Sequence, residues 1–261
     1  MELHFQHFKN KVQQVLESFE AIGLKELDQV HMLNRVDTKY VFHINQFADI
    51  LEEIKENYLV LQIEGKRMFD YESIYFDTDN YDLYKFHHNG KLNRLKVRYR
   101  KYLDSGLCYF EVKYKVKGNR TDKKRLKQED YKHELTDEEF AIIQHDYLDI
   151  PNLKEKMVIC FTRITLANKN FKERLTLDIN ILFDNFKDKK VFPELVIAEI
   201  KTDKTAIGSP IVNSFKKRHF EEIGFSKYST AVAMLEDIKN NNFKPNFIRI
   251  NRIISNGDRG N

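Results

Sequence analysis

The sequence predicts an α+β fold built on a closed antiparallel eight-stranded β-barrel with peripheral helices. Three observations predict it. Eight segments alternate apolar and polar residues with a period of two, as strands with distinct faces do. Most are joined by short polar turns in place of crossover helices, which favours antiparallel neighbours, and closing such a sheet removes its edges. Only 4 prolines and 9 glycines occur in 261 residues, with no linker-like stretch and no internal repeat, so one domain with helical additions is the simplest organisation.

The first element, Phe5 to Ala21, has helical spacing, with Phe5, Phe8, Val12, Val15, Leu16 and Phe19 on one stripe. Arg35–Phe42 is the first alternating strand. Ile44 to Tyr58 is helical again, with Asn45 as an N-cap and Phe47, Ile50, Leu51 and Ile54 on one face. Glu72–Phe76, Arg94–Tyr102, Cys108–Lys117 and Lys123–Tyr131 alternate as strands. Thr136 to Tyr147 opens on a Thr-Asp-Glu-Glu pattern close to a capping box, which predicts a helix. Val158–Thr165, Arg174–Phe183 and Leu195–Lys201 complete the eight strands, and Ser229–Lys239 is an amphipathic helix. From Asn240 the chain turns polar. The expected division is an N-terminal helical extension over 1–30, the barrel over 31–240 and a flexible tail over 241–261.

Composition excludes several classes. Lys plus Arg is 44 against 40 Asp plus Glu, a net charge of +4, so bulk charge gives no argument for a nucleic-acid partner. Cys108 and Cys160 lie in apolar or aromatic stretches without Cys or His at metal-ligand spacing, which suits buried thiols in a reducing compartment. Met1–Asn10 has no apolar h-region, and no run approaches the ~18 apolar residues that span a bilayer. A cytoplasmic protein is expected, with peripheral contact to a membrane left open.

The chemistry is on the second face of the strands. Arg94, Lys96, Arg98 and Arg100 share one face, opposite Leu95, Val97 and Tyr99. Glu111, Lys113 and Lys115 share the next, then Lys123, Arg125 and Lys127. Arg174, Thr176 and Asp178 form another set, as do Glu199 with Lys201, and Arg35 with Asp37 and Lys39. A solvated sheet face would also be polar, but it usually mixes charge signs, because like charges opposite one another destabilise a sheet. An anionic ligand would remove that cost. Arg offers a planar fork to phosphate and Lys a compact charge, so converging cations suit a triphosphate or a longer phosphate chain. Asp37, Glu111, Asp178 and Glu199 on the same faces are candidates to hold Mg²⁺ or Mn²⁺, or else to pair with the cations. No glycine-loop nucleotide signature and no kinase set is present.

Taken in series, these segments resemble the VTC domain, the polyphosphate polymerase member of the triphosphate-tunnel (CYTH-like) superfamily. The matching stretches are Arg35-Val-Asp-Thr-Lys-Tyr40, Ser73-Ile-Tyr-Phe-Asp-Thr78 with Tyr81 and Tyr84, Lys96-Val-Arg-Tyr99, Phe110-Glu-Val-Lys113, Lys123-Lys-Arg125, Arg163, Arg174-Leu-Thr-Leu-Asp178, Ala198-Glu-Ile-Lys201 and Ser226-Lys-Tyr228. They run in family order over roughly residues 30 to 235. The resemblance implies an eight-stranded tunnel with phosphate-handling cations at Lys39, Lys96, Arg98, Lys113, Arg125, Arg163, Arg174 and Lys227, and Glu199 as the main metal ligand. Arg35, Arg94, Lys115, Lys123, Lys201 and Ser226 are expected to bind substrate, and Glu111 and Asp37 to assist the Mn²⁺ or Mg²⁺. The implied reaction moves the γ-phosphate of ATP to a growing polyphosphate chain and releases ADP.

The wider superfamily usually carries Glu-x-Glu-x-Lys on its first strand. Here the equivalent is Arg35-x-Asp37-x-Lys39, and losing one acid weakens a two-metal hydrolase. A triphosphatase of the same fold and a non-catalytic polyphosphate- or nucleotide-binding subunit, with a separate membrane-protein partner, are the alternatives. Three features are set aside as bland: His87-His88 as an exposed turn, Tyr75, Phe76, Tyr81 and Tyr84 as wall packing, and Lys216-Lys-Arg-His219 as a solvated helix face.

Overall fold

The computed structural model describes residues 2–28, 35–115, 121–144, 152–170, 172–203 and 208–257. The chain opens with helix α1 (Glu2–Glu17), strand β1 (Glu20–Ile22) and helix α2 (Leu24–Asp28). Strand β2 (Arg35–His43) leads to α3 (Phe47–Ile54), whose Phe47, Ile50, Leu51 and Ile54 are all buried, as helical spacing predicts. Strands β3 (Tyr58–Leu61) and β4 (Phe69–Asp77), helix α4 (Asp82–His88) and strands β5 (Arg94–Tyr102), β6 (Leu107–Lys115) and β7 (Thr121–Gln128) follow. Helix α5 (Asp137–Gln144) is started by the expected capping pair: Thr136 N donates to Glu139 Oε2 at 2.9 Å and Glu139 N to Thr136 Oγ1 at 3.4 Å. Strands β8 (Lys154–Asn168), β9 (Glu173–Asp184), β10 (Lys189–Phe192) and β11 (Leu195–Asp203) precede α6 (Pro210–Lys217), α7 (Lys227–Leu235) and α8 (Lys244–Gly257).

All eight alternating segments are strands, and they form one path in the order β2-β11-β9-β8-β4-β5-β6-β7, antiparallel at every step. The closed eight-stranded barrel is corrected on two points. The sheet has eleven strands, with β1, β3 and β10 off the path, and among the described residues no ladder joins its ends β2 and β7. Lys123, Arg125 and Lys127 line one face of the β7 edge.

The sheet still curls. Register shifts at Tyr75/Phe76 and between Cys160 and Thr162 add local twist. Lys113 on β6 lies in the electrostatic field of Lys39, Glu199 and Lys201 on β2 and β11, far away along the ladder but facing it across the curl. The result is a trough.

The apolar faces of the strands point out of the trough and are covered. Phe42, Leu166, Leu177 and Ala198 pack on α1, α3 and α6 through Leu16, Phe47, Leu51 and Phe215. Val97, Tyr99, Phe110 and Val112 pack with Ile143 of α5. At one end the inner face is apolar and covered. There Val41, Tyr75, Met157, Ile181 and Ile197 receive Tyr228, Ala231 and Val232 of α7, backed by Phe243 just before α8 and Ile250 of α8. The polar sequence after Asn240, read as a loose tail, thus contains a packed helix over 244–257. Residues 258–261 lie outside the described residues.

Candidate functional site

Period-two alternation with the outer face covered leaves the cations no direction but inward. On β5, Leu95, Val97 and Tyr99 are buried in the outer layer, which turns Arg94, Lys96, Arg98 and Arg100 into the trough. Cross-strand register sets Arg98 beside Glu111 and Lys96 beside Lys113.

Three carboxylates anchor the inner wall. Glu111 takes Arg98 Nε at 2.8 Å and Nη2 at 2.6 Å, is 4.0 Å from Arg100 Nε and pairs with Lys123. Asp178 takes Arg163 in a fork at 2.6 and 2.8 Å and also pairs with Lys227 at the start of α7. Glu199 is 3.0 Å from Lys39 and 3.2 Å from Lys201, and Lys201 reaches Asp37 at 3.2 Å. Burial alone would raise these carboxyls. Arg98, Arg100 and Lys123 outweigh it at Glu111, Arg163 and Lys227 at Asp178, and Lys201, Lys39 and Arg163 at Glu199, so all three stay below the usual range. Tyrosine adds support: Tyr75 Oη accepts from Arg98 Nη1 at 2.6 Å, and Arg163 lies over the rings of Tyr71 and Phe161 at 5.3 and 5.1 Å.

Lys96 differs from these. Among the described residues it has no carboxylate partner, and its Nζ donates to Ser226 Oγ at 2.7 Å. Burial first, then Lys113, Arg94, Arg98 and Lys39, hold its ammonium well below the ordinary lysine value. Ser226 Oγ donates on to Ser229 Oγ at 3.2 Å, which is 3.0 Å from His87 Nδ1. His87 therefore does not sit in an exposed turn. It lies in the last turn of α4 facing α7, and burial followed by Lys96, Arg94 and Lys115 pushes its pKa down to about 3. Solvent reaches Lys113, but its ammonium lies within the trough walls. That desolvation, opposed by Glu199 and reinforced by Arg98, Lys201 and Lys39, brings it to about 8. Lys227 also falls to about 8, by burial above all, with Asp178 opposing and Arg163 adding.

The structure thus gathers Lys39, Lys96, Arg98, Lys113, Lys123, Arg163, Lys201, Lys227 and Ser226 in one trough with Glu111, Glu199 and Asp37. Arg94 and Lys115 pair at its rim, where burial lowers both. Arg125 shares the inner face at the β7 edge, stacked 5.1 Å over Tyr109. Arg174 is drawn aside, its Nη2 donating to the Leu27 carbonyl at 2.5 Å. The Arg35 side chain lies outside the described residues. Sequence reasoning set Tyr75 aside as wall packing and His87 as an exposed turn, and did not weigh Ser229; the parity of β4 signals Tyr75, while nothing local marks Ser229. In the Lys216–His219 run, Lys217 and Arg218 pair with Glu53 of α3 at 2.7 and 2.6 Å, which ties α6 to α3.

Metal-ligand chemistry separates the acids. Among the described residues no group of three Asp, Glu, His or Cys side chains comes together. Glu111 and Asp178 are 2% exposed and saturated by cations, so they suit anchoring better than ligation. Glu199, 18% exposed with Asp37 next along through Lys201, fits the pattern of a cation held by one or two carboxylates plus substrate phosphates.

The family model described as the VTC domain matches residues 34–236. No curated protein matches the chain. Among solved structures, a Hippeastrum protein described by its dominant triphosphatase activity is 11% identical, with 76% of this chain and 96% of that chain covered and a TM-score of 0.44. A conserved hypothetical protein of Pyrococcus furiosus is 11% identical, with 70% and 89% covered and a TM-score of 0.39. A Pyrococcus horikoshii protein is 16% identical, with 70% and 86% covered and a TM-score of 0.36. No helix among the described residues is long and apolar enough to cross a membrane.

Proposed function

Because the chain belongs to the VTC domain family, we propose that it is a polyphosphate polymerase, transferring the γ-phosphate of ATP to the end of a polyphosphate chain with release of ADP. One observation carries the reading: Lys96, Arg98, Lys113, Arg163 and Lys227 converge on one trough whose carboxylates are too few to neutralise them.

Phosphoryl transfer needs charge neutralisation and in-line positioning more than a protein nucleophile. Arg98 and Arg163 are pre-oriented by their carboxylates and tyrosines, so they meet phosphate oxygens without reorganising. Lys96, Lys113 and Lys227 are destabilised as cations in the free protein, and a bound phosphate chain relieves that cost. Glu199, with Asp37 beside it, would hold a Mg²⁺ or Mn²⁺, which would supply further neutralisation of the triphosphate. The bond from the β–γ bridging oxygen to the γ-phosphorus breaks as a terminal phosphate oxygen of the acceptor bonds to that phosphorus. The acceptor is already anionic and needs no general base. Strand β2 carries Arg35-x-Asp37-x-Lys39, one acid short of the pair that would hold two metals and orient a water, which favours the anionic acceptor over water.

The test is incubation with ATP, Mn²⁺ and a short polyphosphate primer, with products resolved on a gel. A lengthening ladder with ADP release, lost in Arg98→Ala, supports the polymerase. Free phosphate without a ladder moves the reading to a triphosphatase, and binding without turnover moves it to a non-catalytic subunit working with a separate membrane protein.

A further inference from the structure

The cationic trough has two unlike ends. At one, α7 fills the inner face and Ser226 touches Lys96. Along β5 from Lys96, the inward residues are Arg98, Arg100 and then Tyr102, six residues on, a span of roughly 20 Å at ~3.3 Å per residue. Here the face changes character. Tyr102 pairs with Tyr71 on β4 and Leu107 on β6, and Tyr109 follows on the same face. Tyr71 and Tyr102 lie 4.9 Å apart, and Tyr102 meets Tyr109 edge-on at 5.9 Å. Tyr71 is already sandwiched, stacked on Phe161 at 5.2 Å with Arg100 and Arg163 over its ring. Tyr102 and Tyr109 remain half-exposed, and Leu107 is 37% exposed.

The exposed ring faces of this aromatic collar offer a phosphate chain nothing directly. Ring faces carry the negative lobe of the aromatic quadrupole, so a polyanion gains nothing by lying on them. It is also an uncommon arrangement to leave uncovered, because the outer layer of the same strands is closed over Tyr99 and Phe110. A flat, uncharged, π-rich group joined to an oligophosphate tail fits both halves at once: the tail along Arg100, Arg98 and Lys96, the ring system against the face of Tyr102, with Tyr109 edge-on beside it and Arg125 over the Tyr109 ring.

We propose that Tyr102 and Tyr109, floored by Leu107 and flanked by Arg125, form a nucleobase-stacking subsite at the open end of the trough, which takes the base of a nucleoside triphosphate whose phosphates point towards α7. The inference rests on the reading of the trough as a triphosphate site. Stacking is tolerant of base identity, because every base has a π-face. The subsite therefore separates nucleoside triphosphates from inorganic triphosphate and discriminates weakly among bases.

The experiment is calorimetric titration of the full chain with ATP, GTP and inorganic tripolyphosphate, in the wild type and in Tyr102→Ala, Tyr109→Ala, Tyr102→Phe and Tyr109→Phe. The alanine variants are expected to lower the ratio of ATP to tripolyphosphate affinity by about 5- to 150-fold, the range that base–aromatic stacking supports, and the phenylalanine variants to restore it. ATP and GTP should bind within a few-fold of each other. Equal weakening of ATP and tripolyphosphate, or an unchanged ratio in both alanine variants, overturns the subsite while leaving the phosphate site standing. Failure of the wild type to bind any of the three ligands overturns the triphosphate reading, and the subsite with it.

Discussion

The Tyr228 hydroxyl donates to the Asp77 carboxylate at 2.5 Å, joining the end of β4 to the first turn of α7 across 151 residues of sequence. Asp77 is fully buried and also accepts from Thr78, Leu83 and Tyr84 N–H groups at 2.8 to 2.9 Å, so one carboxylate fixes α4 and α7 together. Ser226 and Lys227 immediately precede Tyr228, which makes this bond the support for two trough contacts. Tyr228→Phe should cost about 1–3 kcal/mol of stability, the range for a buried group left short of a partner. Triphosphate affinity should fall as well, because Lys227 and Ser226 lose their fixed position. Urea unfolding and calorimetry on the same variant check both.

Affinity should depend on pH in a window set by two lysines. Lys113 and Lys227 titrate at about 8 in the free protein, depressed from 10.5. Bound phosphate favours their charged forms, so binding takes up protons above pH 8. Affinity is then full below about pH 7 and falls as pH rises, by up to tenfold per unit for each lysine. The same depression means these lysines cost folding stability at neutral pH, and that cost fades between pH 8 and 10.5 as the unfolded chain holds more protons than the folded one. Tripolyphosphate titrations from pH 6.5 to 9.5 test the first statement; unfolding over the same range tests the second.

Glu111→Gln separates stability from binding. It leaves Arg98 and Lys123 without their shared anion, and breaking a buried pair costs about 3 kcal/mol or more. The trough becomes more positive, so tripolyphosphate should bind more tightly and recover much of the lost thermal stability. Thermal melts with and without tripolyphosphate would expose a failure of this trade.

Glu199→Gln should remove the metal effect without weakening the phosphate site. Tripolyphosphate binding without divalent cation is expected to hold or improve, since a negative charge leaves the trough. The tightening that Mn²⁺ gives to wild-type ATP binding should vanish. Retention of that Mn²⁺ effect in Glu199→Gln would assign the metal elsewhere.

Much of the wall was legible because each strand declares its two faces. Leu95, Val97 and Tyr99 against Arg94, Lys96, Arg98 and Arg100 is a local signal, and the outer helices only confirm its direction. Long-range pairing was not legible. Tyr228 with Asp77, and His87 with Ser229 across 142 residues, arise from where α7 inserts, which no spacing encodes. Closure was misjudged because a period of two says nothing about which strand meets the far edge. The short β3, Tyr-Leu-Val-Leu, ran on from a helical pattern, and the Asn-rich composition after Asn240 masked the apolar spacing of Phe243, Phe247, Ile250, Ile253 and Ile254.

Lys96→Gln, titrated with inorganic tripolyphosphate and melted alongside the wild type, tests the central claim most directly. Lys96 is buried among like charges with Ser226 Oγ its one hydrogen-bond partner among the described residues, so a ligand that needs it and a fold that does not must respond in opposite directions. The trough as a polyanion site predicts affinity reduced about tenfold or more, with thermal stability unchanged or raised. A wild type that binds no tripolyphosphate, or a Lys96→Gln protein that binds it as tightly as the wild type, would contradict that claim.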